Sequence, residues 1–219
     1  MIRLSDVSKT YVLRGKRKVV ADGISTTFPT GVSVALLGRN GAGKSSLLRM
    51  IAGTMKPDRG RVTALGNVSW PVGFSGSFHN ELTGAQNTRF IARVYGADTD
   101  ALCKWVADFA ELDDHFNLPV RTYSSGMRSR LAFGISMGVP FDTYLVDEVT
   151  SVGDAAFKQK SEAVFAERLK SSGAIVVTHA LGMVQRLCEH GAVLEGGKLT
   201  YYTDVDQAIR HHQAVVQPR

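Results

Sequence analysis

Residues 38–45 read Gly-Arg-Asn-Gly-Ala-Gly-Lys-Ser and directly follow the apolar run 32–37. The glycines at 38, 41 and 43 permit backbone conformations that a side chain would block, so successive N–H groups can turn inward around a polyphosphate. A helix-compatible stretch, 46–52, comes next, and the positive end of such a helix favours the same anion. A strand, this loop and a helix in that order predict a phosphate-binding loop within an α/β fold.

Two side chains at the end of this loop predict how a nucleoside triphosphate would be held. Lys44 can reach the β- and γ-phosphates, and the hydroxyl of Ser45 can ligate Mg²⁺. Further contacts with the nucleotide are expected from the other residues of the loop and from Ser46, which follows it. The predicted nucleotide-binding residues of this segment are Gly38, Asn40, Gly41, Ala42, Gly43, Lys44, Ser45 and Ser46.

A second apolar run, 143–146, ends in the adjacent carboxylates Asp147 and Glu148. A continuous run of this kind is typical of a buried parallel strand, and α/β sheets bind ligands at the carboxyl ends of their strands. Asp147 is therefore expected to hold Mg²⁺ beside Ser45, and Glu148 is expected to orient or deprotonate an attacking water. Taken alone, the run leaves open a strand that simply ends in solvated acids.

Two further segments extend the pattern. Residues 123–127 read Tyr-Ser-Ser-Gly-Met at the start of a helical pattern, where Ser124 is a natural cap and small residues favour anion binding. Residues 174–179 form another buried-strand pattern that ends in His179. A histidine at the carboxyl edge of a sheet can contact a γ-phosphate and the water that attacks it.

Together these motifs resemble the nucleotide-binding subunit of an ABC transporter, and the resemblance covers essentially all 219 residues. In family terms, residues 38–45 form the Walker A loop and residues 144–148 form Walker B. Residues 124–127 resemble the signature motif, and residues 151–154 resemble the D-loop. The motif order is specific to this family among proteins with phosphate loops.

The resemblance also implies roles for individual residues. Tyr11 falls where the family places an aromatic side chain that stacks on adenine, and His179 is similar to the family's switch histidine. Glu148 and His179 are then the catalytic residues, and ATP and Mg²⁺ are the cofactors. The signature residues expected to bind the nucleotide are Ser124, Ser125, Gly126 and Met127. Of these, the Ser124 side chain and the Gly126 amide are expected to contact the γ-phosphate, and the contribution of Met127 is open.

The implied fold is that of a P-loop NTPase of the ABC type, with a β-rich N-terminal subdomain and a helical signature subdomain over about 82–140. Both are expected within one ATP-binding domain that spans residues 1–219. In this family the signature of one copy faces the phosphate loop of another. The resemblance therefore implies a head-to-tail homodimer with ATP held between the two copies.

Two segments depart from the family pattern. The signature usually reads Leu-Ser-Gly-Gly-Gln, whereas positions 123, 125 and 127 here are tyrosine, serine and methionine. The family also places a glutamine shortly after the strand at 68–70, where it contacts Mg²⁺ and the attacking water. Gln86 lies too far along the chain, in a segment that predicts the start of a helix. No glutamine is therefore assigned to that role.

Composition limits the class of protein. With 44% hydrophobic residues the chain is expected to be globular, and no apolar run approaches the roughly 18 residues of a membrane span. Charged residues interrupt the N-terminus early, which predicts a cytosolic protein without a signal peptide. The net charge of +6 suits a protein that works beside polyphosphate or an anionic membrane face. The basic cluster at 14–18 predicts an exposed, solvated hairpin, and Cys103 and Cys188 lack the spacing of a metal site.

Several segments resemble one group of ABC transporters and so indicate the class of molecule that is exported. Residues 147–160 are similar to the Walker B and D-loop region of exporters of capsular polysaccharide, O-antigen and teichoic acid. Residues 69–78 and 82–84 resemble the capsular branch. Many of the other exporters carry an added C-terminal domain, whereas this chain ends soon after His212. The implied function is an ATPase that powers export of capsular polysaccharide across the inner membrane.

The implied partners are a second copy of the chain, a polytopic membrane permease and further capsule export components. The chain is expected to be peripheral, on the cytoplasmic face of the inner membrane. Two alternatives stay open, namely the ATPase of an O-antigen or teichoic acid exporter and a non-transport ABC ATPase that acts on DNA or ribosomes. The second alternative usually has two cassettes or a long insertion between the motifs, so no nucleic acid partner is expected. The acidic pair, the signature and His179 together argue against a P-loop kinase.

Overall fold

The computed structural model describes residues 1–73, 76, 78–147 and 155–216. The expected general base Glu148 and the expected D-loop at 151–154 lie outside these described residues. The chain divides into two compact units, the first formed by residues 1–71, 141–148 and 169–219 and the second by residues 72–140 and 149–168. Among the described helices, none is both long enough and apolar enough to cross a membrane.

Strands and helices succeed one another along the described part of the chain. In chain order they are β1 Ile2–Leu13, β2 Lys16–Phe28, β3 Ser33–Leu37, α1 Lys44–Ile51, β4 Arg59–Ala64, β5 Val68–Pro71, α2 Gly84–Tyr95, α3 Thr99–Ala110, α4 Ser125–Gly138, β6 Thr143–Asp147, α5 Ala155–Leu169, β7 Gly173–Val177, α6 Leu181–Leu187, β8 His190–Glu195, β9 Lys198–Tyr202 and α7 Val205–Val216. Two short 3₁₀ helices, Asp113–Asn117 and Val120–Thr122, lie between α3 and α4.

The larger sheet of the first unit has six strands in the order β5-β6-β7-β3-β8-β9. Neighbouring strands are parallel except for β8 and β9, which are antiparallel. Strand β3 lies in the middle, and all five of its residues are buried, which explains its continuous apolar sequence. Asp147 pairs with Val177, so the carboxyl ends of β6 and β7 meet at one edge of the sheet. The phosphate loop follows β3 at this same edge.

The smaller sheet has three antiparallel strands in the order β2-β1-β4. Strands β1 and β2 have 12 and 13 residues, and they are longer than the short apolar stretches near Ile2 and Val19 predict. Most of the side chains along β2 are exposed, so hydrophobicity marks only part of its length. Arg14 and Gly15 join the two strands with positive φ values of 49° and 76°, as a two-residue turn of the hairpin type requires.

One hydrophobic core joins both sheets of the first unit to helix α1. Phe28 of β2, Leu36 of β3, Leu47 of α1, Leu145 of β6 and Ile175 of β7 are each at most 1% exposed and belong to one cluster. Burying a side chain of this size contributes about 1.5–3 kcal/mol to stability. Helix α1 is therefore anchored against the sheet, and the loop that precedes it is held at a defined place.

Helices α2, α3 and α4 of the second unit lie within the segment 82–140 that the sequence predicts to be helical. Helix α3 buries Leu102, Val106 and Phe109 on one face, as their spacing predicts. Gly138 allows α4 to approach this face closely, because a Cβ there would lie 2.3 Å from Cδ1 of Leu102. The predicted extent of a single domain, 1–219, stays a prediction.

Candidate functional site

A cavity of about 570 Å³ opens in the first unit, beside the carboxyl edge of the six-stranded sheet. This volume lies in the range of roughly 300–1,000 Å³ that is typical of small-molecule sites. Most of the sequence-predicted nucleotide-binding residues of this unit meet there. The lining residues are Tyr11, Lys18, Val20, Asn40, Gly41, Gly43, Lys44, Ser45, Ser46, Val177 and His179.

The phosphate loop has the backbone conformation that its glycines predict. Gly38 and Gly43 have φ values of 151° and 113°, and neither position leaves room for a side chain. A Cβ at Gly38 would lie 2.5 Å from the carbonyl oxygen of Leu194, and one at Gly43 would lie 2.7 Å from Cβ of Val20. The loop is thus pressed against β2 and β8, and Ala42 completes it by donating from its N–H to the carbonyl of Arg39 at 3.0 Å.

Lys44 is only 9% exposed and is folded back over this loop. Its Nζ donates hydrogen bonds to the carbonyl oxygens of Gly38 at 2.8 Å and Arg39 at 3.2 Å. Helix α1 begins at Lys44, so its first N–H groups point at the same space. A positive side chain and a helix N-terminus therefore converge where the sequence predicts the phosphates.

Ser45 and Asp147, the two predicted Mg²⁺ ligands, lie next to each other. The hydroxyl of Ser45 donates to Oδ1 of Asp147 at 3.3 Å, although 102 positions separate them in sequence. A hydroxyl and a carboxylate are hard oxygen donors, and Mg²⁺ typically binds through one or two carboxylates together with water and substrate phosphates. These residues fit a magnesium ion beside a bound nucleotide.

Tyr11 of β1 forms another wall of the cavity and is 38% exposed. Its hydroxyl forms a hydrogen bond of 3.1 Å with the hydroxyl of Ser46 at the start of α1. Asp58 holds the part of β1 that directly precedes Tyr11. Its carboxylate accepts hydrogen bonds from Nζ of Lys9 at 2.6 Å and from the N–H of Thr10 at 2.7 Å. The same two bonds lower the pKa of Asp58 below its ordinary value. Tyr11 is therefore presented to the cavity by a strand that is fixed on both sides.

His179 also lines the cavity, but the strand that leads to it is shorter than the sequence predicts. Strand β7 ends at Val177, two residues earlier, because the chain turns there. The hydroxyl of Thr178 accepts from the N–H of Ala180 at 3.2 Å, and such a local bond competes with strand pairing. His179 thus reaches the cavity from a turn beyond the sheet edge.

The signature segment belongs to the second unit, at the start of α4. Ser124 is the N-cap of this helix, and its hydroxyl accepts from the N–H of Met127 at 3.2 Å, which confirms the predicted capping role. Ser125 and Gly126 lie within the helix, so a serine in place of the family's glycine causes no backbone strain. Tyr123 replaces the family's leucine as a buried side chain whose hydroxyl donates to the carbonyl of His115 at 2.6 Å.

Gln86 has a structural role at the start of α2. Its side-chain oxygen accepts from the N–H of Thr83 at 2.9 Å, and the hydroxyl of Thr83 accepts from the N–H of Gln86 at 3.0 Å. This reciprocal pair is a capping box. The expectation that Gln86 belongs to a helix start is confirmed.

The cavity includes Lys18, although the basic cluster at 14–18 predicts a solvated hairpin. Lys18 is exposed as predicted, but it pairs with Tyr11 across β1 and β2 and lines the cavity. The signal was present in the sequence, because a two-residue turn at 14–15 sets residue 18 opposite residue 11.

His212 lies near the cavity, and no sequence motif predicts it there. Helix α7 begins beside Glu189 and runs along β8, so that His211 comes within 3.8 Å of Glu195 at the end of that strand. The Nδ1 atom of His212 is buried and has no hydrogen-bond partner among the residues that the structure describes. Burial lowers the pKa of His212, and the nearby charges of Lys44, His179 and His211 lower it further.

Comparison with known proteins agrees with this geometry. The family model described as ABC transporter matches residues 21–151. The polysialic acid transport ATP-binding protein KpsT of Escherichia coli is 44% identical over 97% of this chain and 96% of its own length. The capsule polysaccharide export ATP-binding protein CtrD of Neisseria meningitidis serogroup B is 40% identical over 98% of this chain and 100% of its own.

A solved structure shares the fold. It is the dimeric post-hydrolysis state of an ATP-binding cassette bound to ADP and Pi, which superimposes with a TM-score of 0.76 at 21% identity and covers 91% of this chain and 96% of its own. The near-complete coverage by relatives, the family match and the phosphate loop in its expected place lead to one assignment. The chain belongs to the ABC transporter family, as an ATP-binding subunit with ATPase activity.

Proposed function

We propose that this ATPase powers export of capsular polysaccharide across the inner membrane, through a separate membrane permease. The observation that carries the proposal is the similarity of 40–44%, over nearly the whole chain, to ATP-binding proteins of polysialic acid transport and capsule polysaccharide export. The geometry of the cavity supports the first half of this function, the binding of ATP. The cargo rests on the relatives.

Within the cavity, each wall is assigned a part of the nucleotide. The ring of Tyr11 stacks on adenine, and the loop from Gly38 to Ser46, with its N–H groups and Lys44, holds the phosphate chain. Lys44 exchanges its bonds to the loop carbonyls for bonds to the β- and γ-phosphates. Ser45 and Asp147 would hold Mg²⁺, which would neutralise charge on the phosphates.

Hydrolysis is assigned to two residues, Glu148 and His179. Glu148 directly follows β6, and we propose it as the general base that takes a proton from the attacking water. His179 is proposed to contact the γ-phosphate and the water, and its place on the cavity wall supports this role. Asp147 and Glu148 would then divide the work, since the first holds the ion and the second activates the nucleophile.

The working form is proposed to be a head-to-tail dimer. The signature residues Ser124, Ser125, Gly126 and Met127 of one copy would contact the γ-phosphate held by the other, with the start of α4 contributing its N–H groups. The capped start of α4 supports this role. A dimeric cassette with ADP and Pi among the structural neighbours supports it at the level of the fold. Closure of the dimer around ATP would supply the force for transport, and hydrolysis of ATP would reopen the dimer.

The proposed location is peripheral, on the cytoplasmic face of the inner membrane, with the permease and further capsule export components as partners. A face of α2 supports docking to another protein, because Phe90 and Val94, four residues apart, are each 58% exposed. We propose this face as part of the surface that contacts the permease.

The experiment is gene replacement in the protein's own organism. The gene is deleted and then restored as wild type, as Lys44→Ala or as Lys56→Ala, which removes an equal charge from an exposed position outside the cavity. Wild type and Lys56→Ala should restore polysaccharide at the cell surface, whereas Lys44→Ala should leave it inside the cell. Surface capsule that persists in the deletion strain would refute capsular polysaccharide as the cargo. Retention of O-antigen or teichoic acid inside the deletion strain would instead indicate that the chain belongs to an exporter of that polymer.

A further inference from the structure

We propose that Lys18 is a second lysine for the phosphate chain of the nucleotide, on the wall of the cavity that β2 forms beside the phosphate loop. This inference rests on the proposed assignment of the cavity to ATP. Lys18 lies in none of the recognised motifs. The structure brings it to the cavity through the pairing of two strands.

The pairing register fixes the direction of this side chain. Tyr11 of β1 and Lys18 of β2 are direct partners, and so are Val12 and Arg17. Partners across an antiparallel pair lie on the same face, and neighbours along a strand lie on opposite faces. Lys18 therefore accompanies Tyr11 toward the cavity, while Arg17 lies on the other face of the hairpin.

The ammonium group of Lys18 lies against the phosphate loop. Its Nζ is 3.1 Å from the place that a Cβ on Gly41 would occupy, so glycine at this position leaves the room that the lysine uses. Gly41 has a φ of 75°, in the region that favours glycine. Within the described ranges, no carboxylate forms an ion pair with Lys18, and its charge faces the loop that also carries Lys44.

These observations define the ligand chemistry. Lys44 approaches the phosphates from the start of α1, and Lys18 approaches from β2 on the same side as the aromatic ring of Tyr11. A nucleoside di- or triphosphate that stacks on Tyr11 would place its phosphate chain between two cations. Lys18 then contributes to affinity for ATP and ADP, but not to affinity for adenosine, which has no phosphate.

The test is a set of calorimetric titrations of the purified full chain with ATP, ADP and adenosine. The variants are Lys18→Ala, Lys18→Arg and the matched control Arg17→Ala, which removes an equal charge one residue away on the opposite face. Lys18→Ala should weaken the binding of ATP and of ADP by about threefold to tenfold, which is the scale of a partly exposed charge-assisted contact. Lys18→Arg should restore most of this loss, and Arg17→Ala should stay within about twofold of wild type, because salt screens a charge that makes no contact.

Other outcomes refute the inference in distinct ways. Equal effects of Lys18→Ala and Arg17→Ala would show that only general charge matters. A matching loss of adenosine affinity in Lys18→Ala would show that the substitution acts through displacement of Tyr11. Wild-type protein that binds no ATP at all would refute the proposed use of the cavity itself, whereas normal wild-type binding with an unaffected Lys18→Ala variant would refute only the role of Lys18.

Discussion

Replacement of Gly43 by alanine tests whether the observed phosphate loop is the conformation that binds nucleotide. Gly43 has a φ of 113°, which L-amino acids rarely adopt. A methyl group there would lie 2.7 Å from Cβ of Val20 and 3.1 Å from its carbonyl oxygen. Val20 is buried in β2 and cannot turn away, so the loop must move to accept the methyl group.

The expected magnitude follows from the strain. A non-glycine residue held in a sparsely populated backbone region costs about 1–3 kcal/mol. If the loop of Gly43→Ala relaxes to escape this cost, ATP must restore the binding conformation at the expense of its own affinity. Because about 1.4 kcal/mol corresponds to a factor of ten, ATP should bind about 5- to 150-fold more weakly.

The assay is calorimetric titration with ATP, paired with urea unfolding to confirm that the variant is folded. The matched control is Gly96→Ala at the end of α2, where φ is 66° and no atom lies within 4 Å of the added methyl group. This control should lose about 1 kcal/mol of stability and retain wild-type affinity for ATP. A folded Gly43→Ala protein that binds ATP within about twofold of wild type would refute this reasoning.

Three further predictions concern the helix cap, the C-terminal helix and the buried thiol of Cys188. Gln86→Ala removes half of a capping box, so the free energy of unfolding by urea should fall by about 0.5–1.5 kcal/mol while ATP turnover stays unchanged. A loss of turnover without a loss of stability would show that Gln86 takes part in catalysis. Because burial holds the pKa of His212 below its ordinary 6.5, the unfolded chain binds more protons as pH falls through about 6.5, and stability declines. His212→Gln should therefore lose less stability than wild type in urea titrations between about pH 7.5 and 5.5, and equal losses would contradict the burial of this ring. Burial and the charge of Glu189 raise the pKa of the Cys188 thiol to about 12. A maleimide at about pH 8 should therefore label Cys188 in urea but scarcely in the native protein. Rapid labelling of the native protein, detected by mass spectrometry, would contradict this.

Local sequence predicted the parts of the site whose chemistry is local. The phosphate loop needs glycine wherever its backbone presses on β2 or β8, so Gly38 and Gly43 identify it without any tertiary information. Ser124 caps α4 through its own hydroxyl, which again depends only on neighbouring residues. The pairing of Ser45 with Asp147 spans 102 positions, yet the rule that α/β sheets bind ligands at the carboxyl ends of strands was enough to predict it.

Other features lie outside the sequence motifs. Lys18 became visible only through strand register, since its basic neighbours give the whole segment the composition of a solvated loop. His212 reaches the vicinity of Lys44 because α7 lies along β8, which is a tertiary fact. The early end of β7 coincides with a local hydrogen bond from the N–H of Ala180 to the hydroxyl of Thr178. The roles of Glu148 and of the D-loop stay predictions.

The central claim is that this chain is the ATPase of a membrane exporter, and ATP turnover in lipid tests it most directly. Turnover is measured for the purified chain alone and together with a candidate membrane permease from the same organism, for wild type and for Glu148→Gln. We predict turnover that rises with the membrane protein and is lost in Glu148→Gln. Robust turnover that is indifferent to any membrane partner would contradict the claim.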